Sequence, residues 1–235
     1  SGIPNLFSNG ILPLDAALIM VSPADKYGYH SMGVSVDVVA AAAKSANTVI
    51  AQVNPNMPVT YGQSFLHTNQ IHHFWEHAAP LPELPPPSLE NNKIIERIGQ
   101  YIALLVENGA TLQIGVGTIC AAALRYLSNH KDLGIHSELI TDDVMHLMLK
   151  GVINNRKKTF HPNKIVTSFC MGSKALYDFV DHNPHVGFYP SEYVNSPANV
   201  ARNDKLVAIN SAIEVDLTGQ IVSDSIGHQF YSDIG

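Results

Sequence analysis

The sequence predicts an α/β chain made of two open, mostly parallel sheet domains, and three observations predict it. Strand, helix and strand follow one another with short connections between residues 14 and 53. The segment Pro80-Leu81-Pro82-Glu83-Leu84-Pro85-Pro86-Pro87 carries five prolines in eight positions, which neither a helix nor a central strand tolerates. Beyond it the same strand-helix grammar resumes. The expected division is therefore 1–85, ending in the proline-rich linker, and 86–235.

Taken in order, Leu14-Asp15-Ala16-Ala17-Leu18-Ile19-Met20-Val21 reads as a buried strand closed by a Ser-Pro turn. Gly33-Val34-Ser35-Val36 is a short β-branched stretch, and Asp37 is a good N-cap for an alanine-rich helix over 38–46. A second buried strand covers 48–53 and ends in Asn54-Pro55-Asn56. After the linker, Ile94, Ile95, Ile98, Ile102 and Leu105 recur at helical spacing, giving an amphipathic helix over 92–107 that Asn108-Gly109 stops. A strand over 110–114, a glycine turn and a helix over 118–127 come next. Then follow a strand over 135–139 and a helix over 143–150, closed by Gly151. Further strands are expected over 164–169, 186–189 and 205–209.

Composition narrows the function classes. The 235 residues are 46% hydrophobic and 14% charged, against about 25% charged in ordinary globular domains. That deficit excludes a disordered chain and suggests that part of the surface is buried against further chain or another subunit. With 14 Lys+Arg against 20 Asp+Glu, the net charge is −6, so no nucleic-acid partner is expected. Cys120 and Cys170 sit in apolar segments and form no disulfide framework, which points to a reducing, cytoplasmic setting. The longest apolar runs fall far short of the roughly 20 residues of a membrane helix, and no signal peptide is visible. Ser1 stands where Met would be, and Gly235 follows a turn-like stretch directly, so the chain reads as a fragment.

Three features bear on chemistry. Gln113-Ile114-Gly115-Val116-Gly117-Thr118 lies between a strand and a helix. Glycines there allow positive φ and turn amides toward a ligand, and the helix adds its positive N-terminus. The third glycine of a dinucleotide fingerprint is Cys120, and no Gly-Lys-Ser/Thr follows. A tight turn with no ligand is the plain alternative. Next, Glu138 in Ile135-His136-Ser137-Glu138 is expected at the carboxyl end of a parallel strand, facing the same crevice as the turn. A carboxylate beside oxyanion donors can attack an acyl group, while a solvated strand end is the alternative. Finally, Glu214 and Asp216 share one face of an expected strand over 210–220, and Glu214 is the rival carboxylate. His72, His73, His77 and Trp75 lack a His-Glu-x-x-His arrangement, so no metal site is assigned. Arg156-Lys157-Lys158 reads as a solvated turn able to meet a phosphate, and Cys120 as a packed thiol.

In their order and spacing these segments resemble the acetyl-CoA hydrolase/transferase family of coenzyme A transferases. The resemblance runs through Ser22-Pro23-Ala24-Asp25-Lys26-Tyr27-Gly28-Tyr29, residues 33–37, Ala51-Gln52-Val53-Asn54-Pro55-Asn56-Met57-Pro58, the glycine turn, His136-Ser137-Glu138, Met171-Gly172-Ser173, Leu176-Tyr177-Asp178-Phe179 and residues 210–220. It implies two CoA-transferase-type α/β domains, both incomplete in this chain, with coenzyme A between them and a homodimer or higher homo-oligomer. It implies Glu138 as the catalytic carboxylate, Val116 as an oxyanion donor through its amide, and Asn195 as an active-site amide. Gln113, Gly115, Val116, Gly117, Glu214 and Gly235 are assigned to the coenzyme A site on the same ground. No permanently bound cofactor is implied, since coenzyme A and acyl-CoA enter as substrates and short-chain carboxylates as acceptors. Cys120 in place of a usual proline and Asp143 in place of a usual glycine are departures from the pattern. An acyl-CoA hydrolase with the same nucleophile, a non-catalytic coenzyme A-binding module and, distantly, a nucleotide-dependent dehydrogenase are the competing readings.

Overall fold

The computed structural model describes residues 2–85 and 93–231. Before the proline-rich segment come α1 (Ile3–Ser8), β1 (Ala16–Val21), β2 (Tyr29–Ser31), α2 (Val39–Ser45), β3 (Thr48–Val53), β4 (Tyr61–Gly62), β5 (Phe65–His67) and β6 (His73–Glu76). After it come α3 (Lys93–Leu105), β7 (Thr111–Ile114), α4 (Thr118–Tyr126), β8 (Gly134–Ile135), β9 (Leu139–Ile140), α5 (Asp142–Leu149), β10 (Ile165–Thr167) and β11 (Phe169–Cys170). The chain continues through α6 (Lys174–Val180), β12 (Val186–Phe188), α7 (Ser191–Val194), α8 (Pro197–Val200) and β13 (Leu206–Ile209). Two short hairpins follow, β14 (Glu214–Val215) with β15 (Ile221–Val222), and β16 (Ser225–Ile226) with β17 (Gln229–Phe230).

The first strand is apolar throughout and is expected to be buried, but only one face is: Ala17, Ile19 and Val21 are buried while Ala16 and Leu18 face out. It pairs in parallel with β3, Ala16 opposite Thr48 through to Val21 opposite Val53, and β3 pairs in parallel with β6. The crossover helix α2 covers this sheet with Ala40, Ala41 and Ala43. The helix starts one residue later than expected, with Val38 at the cap position, and the Asp37 carboxylate, one place upstream of it, accepts the amides of Val38 and Val39.

The second sheet is longer. Strand β7 lies between β13 and β8, all parallel, and β12 lies between β10 and β4, also parallel. A parallel bridge from His136 to Val166 joins the two sets. The order is thus β13-β7-β8-β10-β12-β4, and the last of these comes from before the proline-rich segment. One hydrophobic core runs continuously from Ala17 to Ile209.

Three sequence expectations change. The strands expected over 135–139 and 164–169 each break in two and re-pair as β9 with β11. The Glu138 carbonyl accepts the amides of Ser168 (2.9 Å) and Phe169 (3.0 Å) and the Thr167 hydroxyl (3.0 Å), which bends both chains at one level. The segment 210–220 is not one alternating strand. Only Glu214–Val215 is extended, and the Asp216 carboxylate closes the hairpin by accepting from the Thr218 amide and hydroxyl and the Gln220 amide. Finally, α3 packs on α4 through Gly99 and Ala103, while Ile94 (72% exposed) and Leu105 (78%) face away. A Cβ at Gly99 would stand 3.0 Å from the Ala122 backbone, which is why the helices approach there.

Candidate active site

The glycine turn is placed by β7 and by its neighbour β13. The Gly115 amide donates to the Ile209 carbonyl at 2.8 Å. A Cβ on Gly115 would stand 2.5 Å from Asn210 Oδ1, so this glycine serves close approach. Gly117 alone of the pair has positive φ, +126°, correcting the expectation that both glycines use it. Gln113 is held by a side-chain amide pair, Asn210 Nδ2 donating to Gln113 Oε1 at 2.9 Å. Val116 is 69% exposed at the start of α4. The Val116 and Gly117 amides have no hydrogen-bond partner among the described residues. They are free donors at the positive end of a helix dipole.

Glu138 sits in the bend between β8 and β9, next to this turn in the hydrogen-bond network. Ser137 Oγ accepts from the Ile114 amide and donates to the Ile114 carbonyl, both at 3.0 Å. One hydroxyl therefore stitches the residue before Glu138 to the residue before Gly115. Glu138 is half-buried, and its carboxylate makes no hydrogen bond or ion pair among the described residues. The carboxylate is thus constrained in backbone and unengaged in side chain.

A cavity of about 930 Å³ opens beside the turn. Gly115, Val116, Gly117 and Thr118 form one end, Leu139 and Phe169 border it, and α4 and α5 form its walls with apolar residues together with Arg125, Asp143 and His146. Leu84 and Pro85, at the described end of the proline-rich segment, also border it. That segment is pinned alongside α6, with the Tyr177 hydroxyl donating to the Pro82 carbonyl at 2.7 Å and the Leu84 amide to the Gly172 carbonyl at 3.0 Å. Asp143 lines the cavity, and burial pushes its carboxyl up against the pull of Arg125 and His146. Asp142 is engaged, accepting the Ser173 amide at 2.9 Å and the Ser173 hydroxyl.

The cavity gathers Gly115, Val116 and Gly117 of the expected site residues. Glu138 and Gln113 flank it without lining it. Glu214 lies on an exposed hairpin and does not line it, and Gly235 lies outside the described residues. Asn195 caps the C-terminal end of α7 and is tied to the Glu138 segment through His136. His136 Nε2 stands 2.8 Å from the Val194 carbonyl. A carbonyl only accepts, so Nε2 carries the hydrogen, and Nδ1 is left buried without a partner among the described residues. Burial pushes this imidazole down to about 4, which keeps it neutral.

Lys158 overturns the reading of its basic cluster as a solvated turn. It is 4% exposed, and its ammonium donates to the Ile135 carbonyl at 2.6 Å and the Lys164 carbonyl at 2.7 Å. Burial pushes it down to about 7. Its stem lies across Gly134, where a Cβ would stand 2.4 Å from Lys158 Cγ. Cys120 is a packed thiol, 1% exposed, bonded to the Ile209 carbonyl and pushed up by burial. His72 Nδ1 accepts the Val49 amide at 3.0 Å, and no cluster of three metal-ligating side chains forms among the described residues. The tethers made by His136, Ser137 and Lys158 escaped the sequence reading. Their only signal was that His136 and Ser137 directly precede Glu138, because the partners Val194, Ile114 and Ile135 are remote in sequence.

The model of the acetyl-CoA hydrolase/transferase N-terminal domain matches residues 1–85, and that of the C-terminal domain matches residues 172–235. The chain is 53% identical over 233 residues to a 4-hydroxybutyrate coenzyme A transferase of Clostridium kluyveri, covering 99% of this chain and 54% of that protein. It is 46% identical to a succinyl-CoA:acetate/propanoyl-CoA:succinate CoA transferase of Fasciola hepatica, covering all of this chain and 49% of that one. A crystal structure of 4-hydroxybutyrate CoA-transferase from Porphyromonas gingivalis superposes with a TM-score of 0.90 at 47% identity, over 94% of this chain and 56% of that one. RipA from Yersinia pestis superposes at 0.89 with 34% identity, over 94% and 51%. The chain spans about half the length of these relatives. On the family models and the identity to these curated relatives, the chain belongs to the acetyl-CoA hydrolase/transferase family.

Proposed function

We propose that these residues carry the nucleophile of a coenzyme A transferase that moves coenzyme A from an acyl-CoA to a short-chain carboxylate. Acetyl-CoA, butyryl-CoA and 4-hydroxybutyryl-CoA are the proposed donors. Membership of a family whose curated members are CoA transferases supports the reaction class. The observation that carries the reading is the pair of hydrogen bonds between the Ser137 hydroxyl and the Ile114 backbone, which ties the segment bearing an unengaged carboxylate to a turn with free amides. The Glu138 carboxylate attacks the thioester carbonyl carbon, and the C–S bond breaks to give a mixed anhydride and coenzyme A thiolate. The thiolate attacks the glutamyl carbonyl, releasing the free acid and leaving a glutamyl-CoA thioester. The acceptor carboxylate attacks that thioester, the thiolate leaves again, and it then takes the new acyl group and restores Glu138. A carboxylate is a weak nucleophile in water. The Val116 and Gly117 amides, with their aligned dipole, supply the charge stabilisation, and Asn195 is proposed to orient the reacting carbonyl.

The division at the proline-rich segment, the reducing cytoplasmic setting and a homodimer or higher oligomer belong to the same proposal. Gln113 and Gly115 are assigned to shaping the acyl and coenzyme A site, with Glu214 as a supporting residue. The test is intact-mass spectrometry of the longest natural chain containing these residues. It is incubated with acetyl-CoA or butyryl-CoA, trapped with borohydride or hydroxylamine, and run beside Glu138→Ala and Glu214→Ala. An adduct lost only in Glu138→Ala is expected. Loss only in Glu214→Ala would move the nucleophile, and no adduct at all would leave a non-catalytic coenzyme A-binding module. Free thiol released without any acceptor acid would make the enzyme a hydrolase.

A further inference from the structure

Asn195 has a side chain with no hydrogen-bond partner among the described residues, so the backbone that bears it sets its aim. That backbone ends α7, a helix of one turn, where the last carbonyls lack partners within the helix. Asn199 Nδ2 takes the Tyr193 carbonyl at 2.9 Å. The Val194 carbonyl, adjoining Asn195, is taken by His136 Nε2 at 2.8 Å. Both Val194 and His136 are 1% exposed, so no bulk water competes for that bond. The donor lies two residues before Glu138, in a segment that Ser137 and Lys158 hold on two further sides.

Resting on the function proposed above, we infer that His136 is a positioning residue: its Nε2–H grips the Val194 carbonyl and thereby fixes the Asn195 amide relative to Glu138. It touches neither substrate nor coenzyme A. It acts because the chain places the nucleophile and the donor that fixes Asn195 in one short run, so that their spacing is set by covalent geometry plus a single hydrogen bond. Misplacing a catalytic group by about 1 Å is enough to slow the chemical step strongly.

The experiment compares His136→Leu, His136→Gln, Asn195→Ala and the His136→Leu/Asn195→Ala double variant in the longest natural chain. It reads kcat and KM for acetyl-CoA and butyryl-CoA. Leucine fills the space without a donor, whereas the glutamine amide nitrogen reaches close to the Nε2 position. The expected result is that His136→Leu lowers kcat about tenfold or more with KM within about threefold, and that His136→Gln recovers most of it. The double variant is expected to lose no more than Asn195→Ala alone, because the two residues act as one unit. Multiplying losses, equal damage from leucine and glutamine, or an unimpaired His136→Leu would each overturn the inference. If His136→Leu does not fold, the Gln variant paired with Asn195→Ala decides, since a kcat that glutamine fails to retain also overturns it. Failure of the underlying reading shows separately, as survival of the trapped adduct in Glu138→Ala.

Discussion

Lys158 and His136 are buried titratable groups without a carboxylate against them, and each makes its own contribution to how pH acts on the fold. Burial lowers Lys158 from 10.5 to about 7 and His136 from 6.5 to about 4. In both cases the unfolded chain binds more protons than the folded chain between the two values. Stability therefore rises with pH across each window: from about 4 to 6.5 for His136, and from about 7 to 10.5 for Lys158. The two carbonyls on the Lys158 ammonium offset part of its burial cost, so its effect is the smaller for its nominal span. Urea unfolding midpoints measured from pH 4 to pH 9 are expected to climb through both windows. Lys158→Met, of similar length but uncharged, flattens the upper climb. A Lys158→Met profile parallel to that of the unmodified chain would show that the ammonium is solvated instead.

At the level of elements, the parallel strands and the glycine turn were legible because their signals are local. An unbroken apolar run marks β1, a β-branched run marks β3, and a Gly-x-Gly between strand and helix marks the turn. The breaks in the strands at Glu138 and Ser168 were not legible. They arise from hydrogen bonds between residues about thirty apart, which leave no local pattern. The hairpin at Glu214 was misread because a two-residue strand is too short to show its period and because the Asp216 turn imitates alternation. Gly115 illustrates the same divide, since its need for glycine comes from Asn210 and not from φ. Gly115→Ala is expected to push Asn210 off Gln113 and separate the ends of β7 and β13. Its cost in stability is about 1–3 kcal/mol by analogy with overpacked sites, together with loss of turnover. A crystal structure of Gly115→Ala with the Gln113–Asn210 pair intact would show that the turn accommodates a methyl.

Across the whole molecule, the proline-rich segment and the sheet pull in different directions. Five prolines in eight positions predict a stiff connection between separate parts, yet β4 from the N-terminal side completes the sheet beside β12, and Asp181 Oδ1 accepts the Val59 amide at 2.7 Å. Ser35 bridges to Phe169, and the Val36 amide donates to the Ser168 carbonyl at 3.0 Å, next to the Glu138 bend. The N-terminal part therefore supplies both a strand and a wall to the part that carries the candidate nucleophile. A continuous core from Ala17 to Ile209 leaves no plane along which the two could part without exposing apolar surface. Cleavage at a protease site introduced within 86–92 should consequently leave two fragments that co-elute on size exclusion. They should melt in one transition, at a temperature lowered only by the entropy of the cut connection. Two separate melting transitions, or fragments that elute apart, would mean that the shared strand contributes little and that each part holds its own fold.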